Sequence, residues 1–491
     1  MTSRRDRVGL LGAALWAAAG APAALGQVGA ANRVQVLDRQ LQQLDRQFRL
    51  SVPEGQPIAE RALVDAGASL RVAFFSIDDE TSDAHYLRQF DGRVYARVEI
   101  DGAHRFYGRL KFQYDDWNSG QSFDGDGDDW NDPFLDRLWY EFDLRGLRRA
   151  QTGEHTDYNF NVKLGKEYFY WASGLVLSQN LYGGTADVEL GSFGFTALVG
   201  QTSPLETVDF DASRPAFDDD TERLFAGGML ELRNNPNHAP YVFFMAMLDE
   251  NDEGQVNLGG AFPTRFDYDA YYAGVGSRGS LGSSLRYRAE FVYQFGESTT
   301  SSFDPVGFGP LPQTKEDISA MAGLLGLTYL VQDHSDTRLD FELLAGSGDD
   351  DRLSSSDTFG GNLPGSRDTA FNSLGYVNTG IALAPEISNL LSIRAGVSTS
   401  PLRSRGDLFR NLRVGVDGFV FLKIDEDAPI SARTDRGENF VGGEIDLFLS
   451  WRILSDLMFD VRYGLFLPGD AMPSGEDDPR QFIYLGVTYA F

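Results

Sequence analysis

Apolar and polar residues alternate in stretches of about ten residues from about residue 66 to residue 491. In the last stretch every second residue is apolar: Ile483, Leu485, Val487, Tyr489 and Phe491. A period of two places such residues on one face of a β-strand. The same alternation, with charged residues on the opposite face, recurs in residues 93–100, 285–291 and 457–463. The pattern predicts strands with one apolar face and one charged face.

Two kinds of connector separate these stretches and largely take turns along the chain. Some are short, such as residues 101–104, 191–192 and 279–284. Others are long and acidic, such as residues 117–133, 202–221 and 346–389. Short periplasmic turns and long external loops are typical of outer-membrane barrels. We therefore predict an all-β protein, a transmembrane antiparallel β-barrel of about 18 strands. The alternative is a large soluble sandwich or propeller, which would not need this regular alternation.

The first 65 residues have a different pattern. Three arginines (Arg4, Arg5 and Arg7) precede an apolar run and a stretch of small residues, the layout of a secretory signal peptide. Apolar residues then follow at spacings of three and four: Val34, Leu37, Leu41, Leu44 and Phe48. This seam predicts an amphipathic heptad helix, either an oligomerising segment or a lone periplasmic helix. The predicted domains are a cleaved signal peptide at 1–26, this periplasmic helix and a linker at 27–65, and the outer-membrane barrel at 66–491.

Composition narrows the function classes. The chain has no cysteine, which excludes disulfides and thiol nucleophiles. Its net charge of −29 argues against nucleic-acid binding, which requires a basic surface. Five scattered histidines form no metal-binding or catalytic motif, so we do not expect an enzyme. The connector residues Asp124, Asp126 and Asp128 resemble the start of a calcium loop, but Asp129 and Leu135 break the EF-hand pattern. We expect no cofactor beyond adventitious Ca²⁺ at these three residues.

Charged residues on the strands predict the lining of the lumen, because a charge facing lipid near the midplane costs about 2–4 kcal/mol. Twelve basic residues fall on the predicted inner face: Arg71, Arg97, Arg109, Lys111, Arg137, Lys163, Arg286, Arg288, Arg394, Arg413, Arg452 and Arg462. Acidic residues share that face, among them Glu99, Glu290 and Glu444. Any single arginine could simply brace the wall through such a partner. The set as a whole predicts an anion pathway, because guanidinium groups bind carboxylates in a bidentate manner.

Several segments resemble the alginate-export porins of the outer membrane. The most specific is 462–471, Arg-Tyr-Gly-Leu-Phe-Leu-Pro-Gly-Asp-Ala; residues 442–447 and 386–390 are also similar, and 137–141 and 164–167 more weakly. The resemblance implies an eighteen-stranded barrel that exports an anionic polyuronate through an arginine-lined constriction. It nominates Arg137, Lys166 and Arg462 as pore cations. Lys166 replaces an arginine of the family, and residues 344–348 carry no arginine where the family can have one.

The resemblance and the lumen pattern together predict passive export of an alginate-like polyuronate across the outer membrane. The expected partners are outer-membrane lipid, the anionic polysaccharide and the periplasmic machinery that synthesises it, and the heptad helix is a candidate oligomerisation segment. Two alternatives remain open: a general or phosphate-type anion-selective porin, and a surface or adhesive barrel that transports nothing.

Overall fold

The computed structural model describes residue 37 and residues 62–491, except 124, 126, 154, 205, 216, 219, 236, 259–261 and 306–308. The predicted signal peptide lies outside the described residues. So does the predicted periplasmic helix and linker, apart from Leu37 and residues 62–65. The latter residues belong to the first strand, which begins at Ala62 rather than at residue 66. The sequence placed this boundary four residues too late, because no turn residue marks it.

Eighteen strands form one antiparallel sheet that closes on itself, because the first strand pairs with both the second and the last. The strands are β1 Ala62–Asp78, β2 Ala84–Ile100, β3 His104–Trp117, β4 Asp129–Asp143, β5 Tyr158–Tyr170, β6 Ser178–Leu190, β7 Phe193–Thr202, β8 Arg223–Leu232, β9 His238–Asp249, β12 Tyr268–Leu281, β13 Leu285–Thr300, β14 Thr314–Leu330, β15 Arg338–Gly346, β16 Leu390–Thr399, β17 Leu412–Lys423, β18 Phe440–Arg452, β19 Leu457–Pro468 and β20 Arg480–Ala490. Two more strands, β10 Gln255–Leu258 and β11 Phe262–Arg265, pair separately in one long connector. The predicted strand count is confirmed.

The predicted faces are also confirmed. On β20, Leu485 and Val487 face away from the barrel and are 40% and 43% exposed, whereas Phe482 and Tyr484 face inward and are buried. Phe491 at the chain end exchanges two backbone hydrogen bonds with Ala68 of β1, at 2.7 and 2.8 Å. Outward apolar side chains on every strand provide the surface that lipid covers. The alternation read from the sequence therefore fixed which side chains enter the lumen.

Short connectors gather at the end of the barrel where β1 begins and β20 ends, which we take as the periplasmic end. One of them contains a helix, α1 Leu144–Thr152, where the sequence suggested only the end of a strand. The Asp143 carboxylate caps it by accepting hydrogen bonds from the backbone N–H groups of Arg145 and Gly146, and Gly153 ends it in a left-handed conformation (φ 71°). Among the described residues, no helix is long and apolar enough to cross a membrane.

The long connectors do not all stay outside the barrel. Residues 171–177, 203–222 and 347–389 fold into the extracellular half of the lumen and bury apolar side chains there. One cluster joins connector and wall residues that are all less than 5% exposed: Leu177, Met245, Met247, Tyr272, Ala320, Phe371 and Leu374. A second cluster joins Ile381 and Leu383 to Phe421, Phe466 and Phe482 of the wall. Leu37, a helical residue, is 1% exposed in this second cluster. The extracellular half of the lumen thus has a hydrophobic core.

Candidate functional site in the lumen

Cations on the wall formed by β2 to β5 are paired with carboxylates. Arg97 donates to Glu99 at 2.9 Å, and Arg105 donates to Glu141 at 3.0 Å. Arg109 binds Asp136 through two parallel hydrogen bonds of 2.9 and 3.0 Å. A bulge between β3 and β4 places Asp136 beside Arg109. Such pairs brace the wall and cancel most of their own field at a distance.

Two of the cations nominated by the family resemblance are also tied into the structure. Arg137 is buried, donates to the amide oxygen of Asn180 at 2.7 Å and lies 3.7 Å from Asp136. Lys166 is 4% exposed and forms an ion pair of 2.8 Å with Glu206 of the β7–β8 connector. Lys166 therefore fastens an external connector to the wall. The structure places both residues in the barrel wall, with much of their charge already compensated.

The opposite wall is different. Four predicted pore cations have no carboxylate oxygen within 4.0 Å among the described residues: Arg286, Arg394, Arg413 and Arg462. We call this group the arginine arc. Arg413 donates to the Ser398 hydroxyl at 2.6 Å, and Arg462 lies 5.1 Å from the centre of the Phe448 ring. The Nε atoms of Arg394 and Arg462 are buried without a hydrogen-bond partner.

Position along the strands places two residues of the arc at the periplasmic mouth and two at mid-height of the lumen. Arg286 and Arg413 are each the second residue from the periplasmic ends of β13 and β17. Arg394 and Arg462 lie near the middle of β16 and β19. Asp417 is within electrostatic range of Arg394 and Arg462, so part of their charge is balanced at longer distance. Another predicted cation, Arg288, lies between these levels but forms an ion pair with Glu342. The arc is therefore smaller than the predicted set.

Two inward carboxylates that the sequence suggested as partners of the arginines serve another purpose. Glu444 on β18 accepts three backbone hydrogen bonds of 2.6, 2.7 and 2.9 Å from the turn at 381–383. Glu290 on β13 accepts two hydrogen bonds from Ser173, at 3.1 and 2.7 Å, and one from Tyr241. These carboxylates hold connectors inside the lumen rather than neutralising arginines. The sequence carried no signal for this, since most of the donors are groups of connectors far away in the chain.

The inward connectors also contact one another through buried acids. Asp357 of the 347–389 connector accepts a hydrogen bond from the Ala212 backbone N–H at 3.0 Å. Burial and the neighbouring Asp211 carboxylate raise the pKa of Asp357 to about 7. Burial raises the pKa of Asp211 as well. The nearby Arg352 forms its ion pair with Asp368, at 2.8 Å. The junction between the two connectors therefore holds two carboxyl groups with no cation of their own.

Candidate metal ligands are sparse. Within the described residues, no three histidines or acidic residues are grouped so that they could hold a metal ion. Of the three residues considered for calcium, Asp124 and Asp126 lie outside the described residues. Asp128 accepts a hydrogen bond from the Trp117 backbone N–H at 2.9 Å. Calcium binding there stays a prediction.

The chemistry of the arc is that of an anion-binding surface. Guanidinium groups stay charged and offer planar pairs of donors that match carboxylates and phosphates. Arg286 is exposed and Arg394, Arg413 and Arg462 are half-buried, so these side chains remain partly accessible from the lumen. In a water-filled lumen such contacts are weak and screened beyond about 8–10 Å, so an anion would be attracted without being trapped.

Comparison with known proteins agrees with this geometry. The family model for alginate export matches residues 80–485. No curated protein sequence matches the chain. Solved structures with a similar fold include OccK11 (OpdR) and OccK5 (OpdH) of Pseudomonas aeruginosa, each 12% identical with a TM-score of 0.48. The alignments cover 87% of this chain and 96% and 98% of those chains. Because the family match spans most of the barrel, this outer-membrane protein belongs to the alginate-export family.

Proposed function

We propose that this channel exports an acidic polysaccharide of the polyuronate type. The arginine arc carries the proposal, because it extends from the periplasmic mouth, where a polymer made inside the cell envelope would enter, to mid-height of the lumen. A polyuronate presents one carboxylate per sugar residue, and each can contact a guanidinium group in turn. Weak, repeated contacts favour entry while still allowing release.

The rest of the lumen fits passive movement. The paired cations of β2 to β5 add little net field, so no continuous ring of charge would hold a polyanion. The channel itself would not drive transport. The periplasmic machinery that synthesises the polymer would push it outward. The same arc would also attract small anions, so a general or phosphate-type anion porin is the alternative. A surface barrel that transports nothing is the other.

Current through single channels in a planar bilayer tests the proposal. We expect anion selectivity and a reversible block by oligouronates added on the periplasmic side. Neutral oligosaccharides of the same length should block much less. A channel that passes phosphate but is indifferent to oligouronates would support the general porin. The absence of any conductance from correctly folded protein would support the adhesive barrel.

A further inference from the structure

A cavity of about 320 Å³ lies at the periplasmic mouth, on the wall opposite the arginine arc. Polar side chains of β4, β5 and β6 line it: Glu141, Asn159, Asn161, Lys163, Thr185 and Asp187. Its volume is at the lower end of the range for small-molecule sites, about 300–1,000 Å³, which suits one or two sugar rings. The cavity is therefore large enough to hold part of a polysaccharide chain.

The lining offers hydrogen-bonding groups that the described residues leave unused. The Asn159 side-chain oxygen accepts a hydrogen bond from the Arg145 backbone N–H at 2.9 Å, which leaves its amide NH₂ without a partner. Asn161 donates to Glu141 at 2.8 Å, which leaves its amide oxygen without one. Thr185 makes no side-chain hydrogen bond among the described residues, and Asp187 uses one oxygen, to accept from Thr196 at 2.6 Å. The hydrogen bonds that Asn159 and Asn161 make fix the orientation of their side-chain amides. The Asn159 NH₂ group and the Asn161 oxygen are therefore held in place to bind a hydroxyl group of a ligand.

A row of aromatic rings leads to this cavity along the lumen wall. Tyr95, Tyr107 and Trp139 lie on three neighbouring strands, with ring centres 6.0 and 5.4 Å apart and planes within about 21° of parallel. The Lys163 ammonium group at the cavity lies 3.9 Å from the centre of the Trp139 ring. Aromatic side chains supply rigid apolar surface at low conformational cost. The C–H groups of a pyranose ring can pack on such surface while its hydroxyls bond to the polar lining.

Position and charge distinguish this wall from the arc. β6 is the sixth strand around the barrel and β17 is the fifteenth of eighteen, so they lie directly across from each other. The lining of the cavity contains three carboxylates, Glu141, Asp187 and Glu189, against two cations, Lys163 and Arg233. This balance disfavours a second site for carboxylates, so the cavity suits the uncharged, hydroxyl-bearing side of a sugar.

We propose that the cavity and its aromatic row form a saccharide subsite. It binds the hydroxyl groups of a uronate residue while the arginine arc attracts the carboxylates of the same polymer. The proposal rests on polysaccharide export and adds that the channel recognises sugar, not charge alone. A flexible polyanion without hydroxyls would engage only the arc.

Two probes of equal charge test this in planar bilayers: an oligouronate of defined length and a polyglutamate with the same number of carboxylates. The wild-type channel should be blocked by the oligouronate at a lower concentration. In Thr185→Val combined with Asn161→Ala, the blocking concentration of the oligouronate should rise about threefold to tenfold, as expected for one or two lost hydrogen bonds. The polyglutamate block should not change. The matched control is Thr488→Val, an inward hydroxyl on β20 that does not line the cavity.

The outcomes separate the subsite from the proposed function. Equal block by the two probes in the wild type, or an unchanged oligouronate block in the double variant, would overturn the subsite and leave export standing. No block by either probe in the wild type would overturn both. Normal open-channel conductance of the double variant verifies that it is folded. If that variant does not fold, the isosteric single change Thr185→Val gives the same test with a smaller shift.

Discussion

The two halves of the lumen differ in how their charged side chains are compensated. In the extracellular half, connectors enclose many charged groups and bind them, as the turn at 381–383 binds Glu444. In the arginine arc, by contrast, Arg394 and Arg462 have no carboxylate oxygen within 4.0 Å among the described residues. A buried charge must be compensated because desolvation is costly, whereas a hydrated one need not be. Arg286 is exposed and Arg394, Arg413 and Arg462 are half-buried, so water can hydrate part of their charge.

The enclosed half should be the more sensitive to loss of a charge. Arg223 is fully buried and binds Asp209 through two hydrogen bonds of 2.7 and 3.0 Å. Arg223→Ala should lower the free energy of unfolding by about 3–5 kcal/mol, because it leaves the buried Asp209 carboxylate without its cation. Urea unfolding in detergent measures this. The exposed Arg265→Ala should change stability by less than about 0.5 kcal/mol; equal losses would contradict the contrast.

Substitutions in the arginine arc should change ion selectivity rather than stability. Arg394→Gln with Arg462→Gln should lower the anion-to-cation permeability ratio about twofold to fivefold, since each charge about 8 Å from a passing ion contributes about 0.5 kcal/mol in water. Reversal potentials across a salt gradient measure the ratio. The charge-conserving change Arg109→Gln with Asp136→Asn should leave it nearly unchanged. A larger effect from this second variant would mean that the paired wall, not the arc, controls selectivity.

The junction of the two inward connectors should respond to pH. The pKa of Asp357 is raised from 3.8 to about 7, so the folded junction favours the protonated carboxyl group. The stability that this group contributes to the junction is complete in acid and is lost as the pH rises through about 7. We expect open-channel conductance to increase, by less than about twofold, between pH 5 and pH 8 as Asp357 ionises next to the Asp211 carboxyl group. Asp357→Asn should flatten this profile. A conductance that falls over this range in the wild type would contradict the sign.

The smallest effect is expected from the acidic connector between β3 and β4. Changing Asp124, Asp126 and Asp128 to asparagine should leave anion selectivity nearly unchanged. This connector leaves the extracellular end of the barrel, whereas the arginine arc extends from the periplasmic mouth to mid-height. Charges farther apart than the screening length of about 8–10 Å interact little. Reversal potentials again measure the anion selectivity. A clear change would mean that this extracellular connector also determines selectivity.

Strand number and side-chain facing followed from the sequence. A strand has a period of two, so each apolar residue with a charged neighbour reports its own face without reference to any distant residue. Val94 and Arg93 illustrate this, since they face lipid and lumen as the alternation predicts. The alginate-export family was also predicted from local segments and is confirmed by the family match.

The sequence alone determined the strands that form the barrel wall. The tertiary structure decided which connectors and ion pairs occupy the lumen. All the predicted pore cations are on the strands. Only the three-dimensional contacts distinguish Arg109, which is bound by Asp136 of the next strand, from Arg394, which has no carboxylate oxygen within 4.0 Å among the described residues. The helix α1 and the inward course of residues 171–177 were likewise missed. Facing depends on residues next to each other in the chain, whereas pairing depends on residues such as Lys166 and Glu206, which meet only after the connectors have folded inward.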